Sequence, residues 1–95
     1  MQQIFKYKLD PAYASTGQAL MLQLANDNAI LSVQRQQDDI CLWALIDANM
    51  PEQERMFNVY PTGVTVPVGA VFLGTVQFAN GSSILHVFDT TNVTR

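Results

Sequence analysis

"ICLWALID", residues 40–47, decides how this chain can fold. Side chains alternate along a strand, so Ile40, Leu42, Ala44 and Ile46 share one face while Cys41, Trp43 and Leu45 share the other. Both faces are apolar. A strand with water on one side shows apolar and polar residues in turn. A strand apolar on both sides needs cover on both sides. The rest of the chain, or a second copy of it, has to supply that cover.

Working outward, period-2 patterns dominate. "AILSVQRQ" (29–36) sets Leu31 and Val33 on one face, with Ile30, Ser32 and Gln34 on the other. "QQDD" then reads as a polar turn that makes "ICLWALID" its hairpin partner. "QIFKYKL" (3–9) alternates Phe5, Tyr7 and Leu9 against Ile4, Lys6 and Lys8. "RMFNVY" (55–60) places Phe57 and Val59 together and stops at Pro61, which has no N–H to donate to a ladder. "VFLGTVQF" and "SILHVFD" flank "ANGS", and Asn80-Gly81 between two apolar runs is the strongest hairpin signal in the chain.

"STGQALMLQLAND" (15–27) reads two ways. Its helix formers and the Ser15–Gln18 capping-box spacing favour a helix. Leu20, Leu22 and Leu24 against Ala19, Met21 and Gln23 favour a strand, as does the neighbouring context. Propensity alone favours the helix, and the strand is adopted on the family resemblance given below. Six or seven strands joined by short turns then predict a mainly β chain, either a compact antiparallel β-sandwich or a partly open barrel. Residues 1–95 form one domain, with the polar stretch 90–95 as a loose tail.

Composition narrows function. Net charge is −3, and the five basic residues, Lys6, Lys8, Arg35, Arg55 and Arg95, are scattered. A nucleic-acid polymer needs a basic patch, so such a partner is not expected. Charged residues make up 14% of the chain, against about 25% in an average domain. Surplus apolar surface of this kind points to a partner, and a homo-oligomer is the expectation. The one cysteine, Cys41, allows no internal disulfide and suits a reducing cytoplasm. No apolar run approaches the ~20 residues that a membrane-spanning helix needs, and the start of the chain lacks a signal-peptide pattern.

Candidate chemistry is sparse. His86 is the only histidine, and nothing in the spacing supplies a nucleophile or carboxylate for it. Cys41, set among Ile40, Leu42, Trp43 and Leu45, reads as a small buried hydrophobe rather than a nucleophile. Trp43 and Leu45 belong to a core or a subunit interface. Asp38 and Asp39 read as turn residues, because a calcium site needs six to eight oxygens. No catalytic residue, metal or cofactor is expected. The loop "YPTGVTVPVGAVFLG" offers the best ligand contacts: the Tyr60 ring and hydroxyl, the Thr62 hydroxyl, and backbone N–H groups made accessible by Gly63. Arg55, or Arg35 beside the turn, is the candidate cation for a small anionic ligand.

Taken in order, "IFKYKL", "AILSVQRQ", "CLWALID", "ERMFNVYPTG", "FLGTVQF" and "LHVF" resemble a family of small uncharacterised proteins from bacteriophage genomes and prophages. The relatives carry "ILSVQ", "CLWALVD", a "YGTG"-like turn, "YIGT" and "WHVF". Two departures are Pro61, where the relatives have glycine, and a longer, more apolar segment from Ala12 to Leu24. The resemblance implies a compact β domain at work in the cytoplasm of an infected bacterium, and it carries no catalytic residues. Small phage accessory proteins often act against host systems, some as oligomeric sponges for nucleotide signals. The functional expectation is therefore a non-enzymatic binding protein for a small anionic, cyclic-nucleotide-type signal. The alternative is a protein–protein module, either an inhibitor of a host protein or a minor structural component.

Overall fold

A computed structural model describes residues 1–10, 16–78, 81 and 83–93. The Ser15 half of the capping-box reading and Asn80 of the hairpin turn fall outside these. Seven antiparallel strands are present: β1 (Gln2–Leu9), β2 (Gln18–Leu22), β3 (Ile30–Gln36), β4 (Asp39–Asp47), β5 (Gln53–Pro61), β6 (Val71–Phe78) and β7 (Ser83–Asp89). They form two sheets, β1-β4-β3 and β2-β5-β7-β6. The described residues contain no α-helix. The architecture is an open sandwich, with the sheets not closed into a barrel.

"ICLWALID" is the central strand of the first sheet, flanked by β1 and β3. Its first face, Ile40, Leu42, Ala44 and Ile46, is buried in the core between the sheets. Opposite it stand Leu22, Phe57, Val59, Val76 and Val87, also buried. The second face is covered largely within the chain. Lys6 and Lys8 of β1 are register partners of Trp43 and Cys41. Their stems lie back over the sheet, Lys6 Nζ donating to Gln36 Oε1 at 2.7 Å and Lys8 Nζ standing 3.5 Å from Asp39 Oδ1. Aliphatic stems with charged tips cover apolar surface in this way. Cys41 is buried, and Trp43 and Leu45 are half-buried.

The segment from residue 18 resolves as strand. Leu22 and Leu24 are buried while Met21 is exposed, so the alternation outweighs helix propensity. The chain then changes sheets. β2 pairs with β5, but Asp47 N donates to Gln23 O, Ala25 N donates to Leu45 O, and Leu24 bridges to Ile46 of β4. Strands that switch sheets make the corners of such sandwiches. At the opposite seam β3 lies against β6, where Arg35 Nη1 donates to Gln77 O at 3.3 Å.

Two sequence expectations fail locally. Leu31 does not share the Val33 face. A bulge between Ile30 and Ser32 inserts Leu31 as an extra residue, turning Ile30 towards the core side and leaving Leu31 exposed. The loose tail does not begin at residue 90. Thr90 is buried, its N–H donates to Met56 O, and its hydroxyl donates to Asn58 Oδ1 at 2.6 Å.

Candidate binding surface

The outer face of the four-stranded sheet differs from its counterpart. Register places Asn58, Phe88 and Phe72 in one row across β5, β7 and β6, and Tyr60, His86 and Thr75 in the next. The Tyr60 and Phe88 rings meet edge-on with centroids 5.6 Å apart, and Phe72 meets Phe88 in the same way at 5.5 Å. Phe72 is 56% exposed, and Ile84 and Met21 are also open to solvent. Among the described strand residues that the register puts on this face, Glu54 carries the one charge. The outer face of the other sheet carries Lys6 and Lys8 instead.

His86 sits at the centre of this surface with both ring nitrogens engaged. Thr62 Oγ1 lies 2.8 Å from Nε2, and Thr75 Oγ1 lies 2.9 Å from Nδ1. A neutral ring has one donor and one acceptor nitrogen, so one threonine hydroxyl donates to it and the other accepts. The histidine is a cross-strand tie between β7 and its neighbours. Cys41 lies on the opposite outer face of the sandwich, so the two cannot form a nucleophile–base pair. The described residues hold no group of three or more His, Cys, Asp or Glu side chains placed to bind a metal ion.

The five residues expected to bind an anionic ligand do not come together. Tyr60 and Thr62 share the aromatic face. Gly63 lies in the turn beyond β5 at φ 96°, a conformation that favours glycine, and is exposed. Arg55 is on the other face of β5 and nearly a strand length away, because alternation sends 55 and 60 to opposite sides. Its guanidinium is committed, with Nη2 2.6 Å and Nε 3.2 Å from Asp89 Oδ2. The other Asp89 oxygen accepts from the Thr91 N–H and hydroxyl. Arg35 is also occupied, its Nε donating to Gln37 O at 2.6 Å and its charge lying 5.2 Å from the Phe78 ring centroid.

Sequence reasoning missed the cleft that the Arg55–Asp89 pair helps to line. It opens at one end of the sandwich, has a volume of about 630 Å³, and includes Asp27, Asn28, Val71 and Asn92 in its walls. These residues come from four separate stretches of chain, and no sequence spacing signals their meeting. A second, shallower depression of about 400 Å³ lies between Thr62 and Ile84 and continues the aromatic face.

No curated protein and no solved structure matches this chain. A family model does, along the whole length that forms these two sheets: the chain belongs to the family described as a domain of unknown function, DUF7352, which spans residues 1–95.

Proposed function

We propose that this chain is a non-enzymatic binding protein whose working surface is the outer face of sheet β2-β5-β7-β6, and whose partner is another protein. One observation carries this: a cluster of edge-to-face rings, Tyr60 on Phe88 and Phe88 on Phe72, lies with exposed Phe72 and Ile84 on a face almost free of charge. Protein interfaces are enriched in Tyr, Phe and Met and depleted in Lys, Glu and Asp. The same sandwich keeps lysines over its other outer face, so the bare face is not a general property of a weakly charged chain. The resemblance to phage and prophage proteins supports a bacterial host cell as the setting and a host protein as the partner.

A small anionic ligand, such as a cyclic nucleotide, is the second reading, favoured by the size of the Arg55 cleft. It is the lesser one. Asp89 already neutralises Arg55, and Asp27 adds a further negative charge to the same walls.

A photo-crosslinking amino acid at position 72, expressed in bacteria, tests the leading reading against the same probe at position 6 on the opposite face. A discrete protein adduct from position 72 and none from position 6 is the expected result. If neither position yields an adduct while a nucleotide raises the thermal midpoint of the purified protein, the small-ligand reading replaces it.

A further inference from the structure

We infer that two copies of this chain join through the open edge of β1, extending the three-stranded sheet into a continuous six-stranded one. The four edge strands of the sandwich are not equivalent. β3 and β6 lie against each other at the seam. β2 is five residues long and leads into the corner. β1 is eight residues long, has no proline and no bulge, and pairs with β4 alone among the described strands. The Gln18 side chain contacts Lys8 O and Asp10 N, so the open edge runs from Gln2 to Tyr7.

An exposed edge is a template for another strand, and lysines usually guard it. Here they do not. Lys6 reaches across to Gln36 on β3, and Lys8 leans to Asp39 on β4, both away from the edge. What remains beside the edge is apolar: Ile4 is 62% exposed and Phe5 45%. Phe5 is on the side facing the second sheet and is nonetheless exposed.

The occupant is a second copy because the strand is complementary to itself: charge excludes two registers, and the pairing of the exposed rings favours the one centred on Phe5. An antiparallel two-fold centred on Phe5 sets Phe5 against Phe5, Ile4 against Lys6 and Gln3 against Tyr7. Centring on Lys6 or Tyr7 sets lysine directly against lysine, which is unfavourable. In the Phe5 register the two rings meet and extend the apolar layer across the join. An antiparallel pairing of about five residues covers less than the roughly 800 Å² per partner of a standard interface, so the dimer is concentration-dependent.

The test is register-specific. Directly opposed residues in an antiparallel pair have Cα atoms about 4.5–5.5 Å apart, within reach of a disulfide. Phe5→Cys should therefore oxidise to a covalent dimer in high yield. Gln3→Cys, whose two copies are separated by four residues of strand, should not. Light scattering of the unmodified chain should show dimer growing across the micromolar range. Phe5→Lys should weaken it about tenfold or more, since it removes the ring pair and opposes like charges. Val68→Lys, at an exposed loop position away from β1, should leave it unchanged. A monomer at all concentrations overturns the proposal, as does a dimer insensitive to Phe5→Lys or equal crosslinking from positions 3 and 5.

Discussion

Gly74 of β6 meets Val33 of β3 so closely that a β-carbon built on the glycine would lie 3.1 Å from the valine's β-carbon and 3.5 Å from its carbonyl oxygen. This contact marks the seam where the two sheets approach without pairing. The bulge between Phe72 and Gly74 brings the strand into that position. Gly74→Ala should destabilise the fold by about 1–3 kcal/mol, the range for overpacking. Val33→Gly, which removes the contacted β-carbon, should recover part of that loss in a double-mutant cycle read by denaturant midpoint, although alone it leaves a cavity and loosens the strand. Additive effects would show that the two positions do not touch in solution.

The Arg55–Asp89 pair holds the last strand and the segment after it to β5. Asp89 is almost fully buried and receives four hydrogen bonds, two from Arg55 and two from Thr91. Removing one member of such a pair leaves a charge with little solvent around it, at about 3–5 kcal/mol. Asp89→Asn should therefore lower the chemical midpoint by more than any single surface substitution. A loss under about 0.5 kcal/mol, the ordinary surface value, would mean that water replaces the carboxylate freely.

Gln37 has φ 56° in the β3–β4 turn, the only positive value at a non-glycine residue among those described. Left-handed backbone costs a side-chain-bearing residue about 1 kcal/mol, which glycine avoids. Gln37→Gly should raise the thermal midpoint, by about 4–8 °C if the full 1 kcal/mol is gained in a domain of this size. The carbonyl that accepts from Arg35 remains in place, since it belongs to the backbone. An unchanged or lower midpoint would show that glycine's extra unfolded-state entropy outweighs the relief.

Burial pushes the Tyr7 phenol above its usual value of 10.0. The folded state thus holds that proton more tightly than the unfolded chain. Its contribution to stability is fully present below the unfolded value and is lost as pH rises through the folded one. Unfolding free energy should accordingly decline from about pH 10 upward, and Tyr7→Phe should flatten that decline. Equal slopes in both proteins would assign the alkaline loss to other groups.

The alternation in "ICLWALID" was enough to mark a strand that needs cover on both faces, and the alternating leucines of 20–24 were compatible with a strand, which the family resemblance favoured over helix. Both alternations are local: the period of two follows from the pleat, whatever packs on it. The same local rule placed Leu31 with Val33 and failed, because a bulge is a relation between two strands that neither carries alone. It also could not choose between sandwich and barrel, which depends on whether β3 and β6 pair or merely touch.

The candidate site divides in the same way. Residue types alone marked Tyr60, Thr62 and Gly63 as a possible contact region and Cys41 as an unpromising nucleophile. Alternation alone already separates Arg55 from Tyr60, since 55 and 60 differ by an odd number. What only the tertiary structure decided is the pairing of side chains distant in sequence: Arg55 with Asp89, His86 with Thr62 and Thr75, and Lys6 with Gln36. These pairings determine which charges are spent inside the fold and which faces are left bare. The second apolar face of residues 40–47 therefore found its cover largely in lysine stems from β1. By leaning inward those same lysines leave the edge of β1, among the described residues, without a guarding charge.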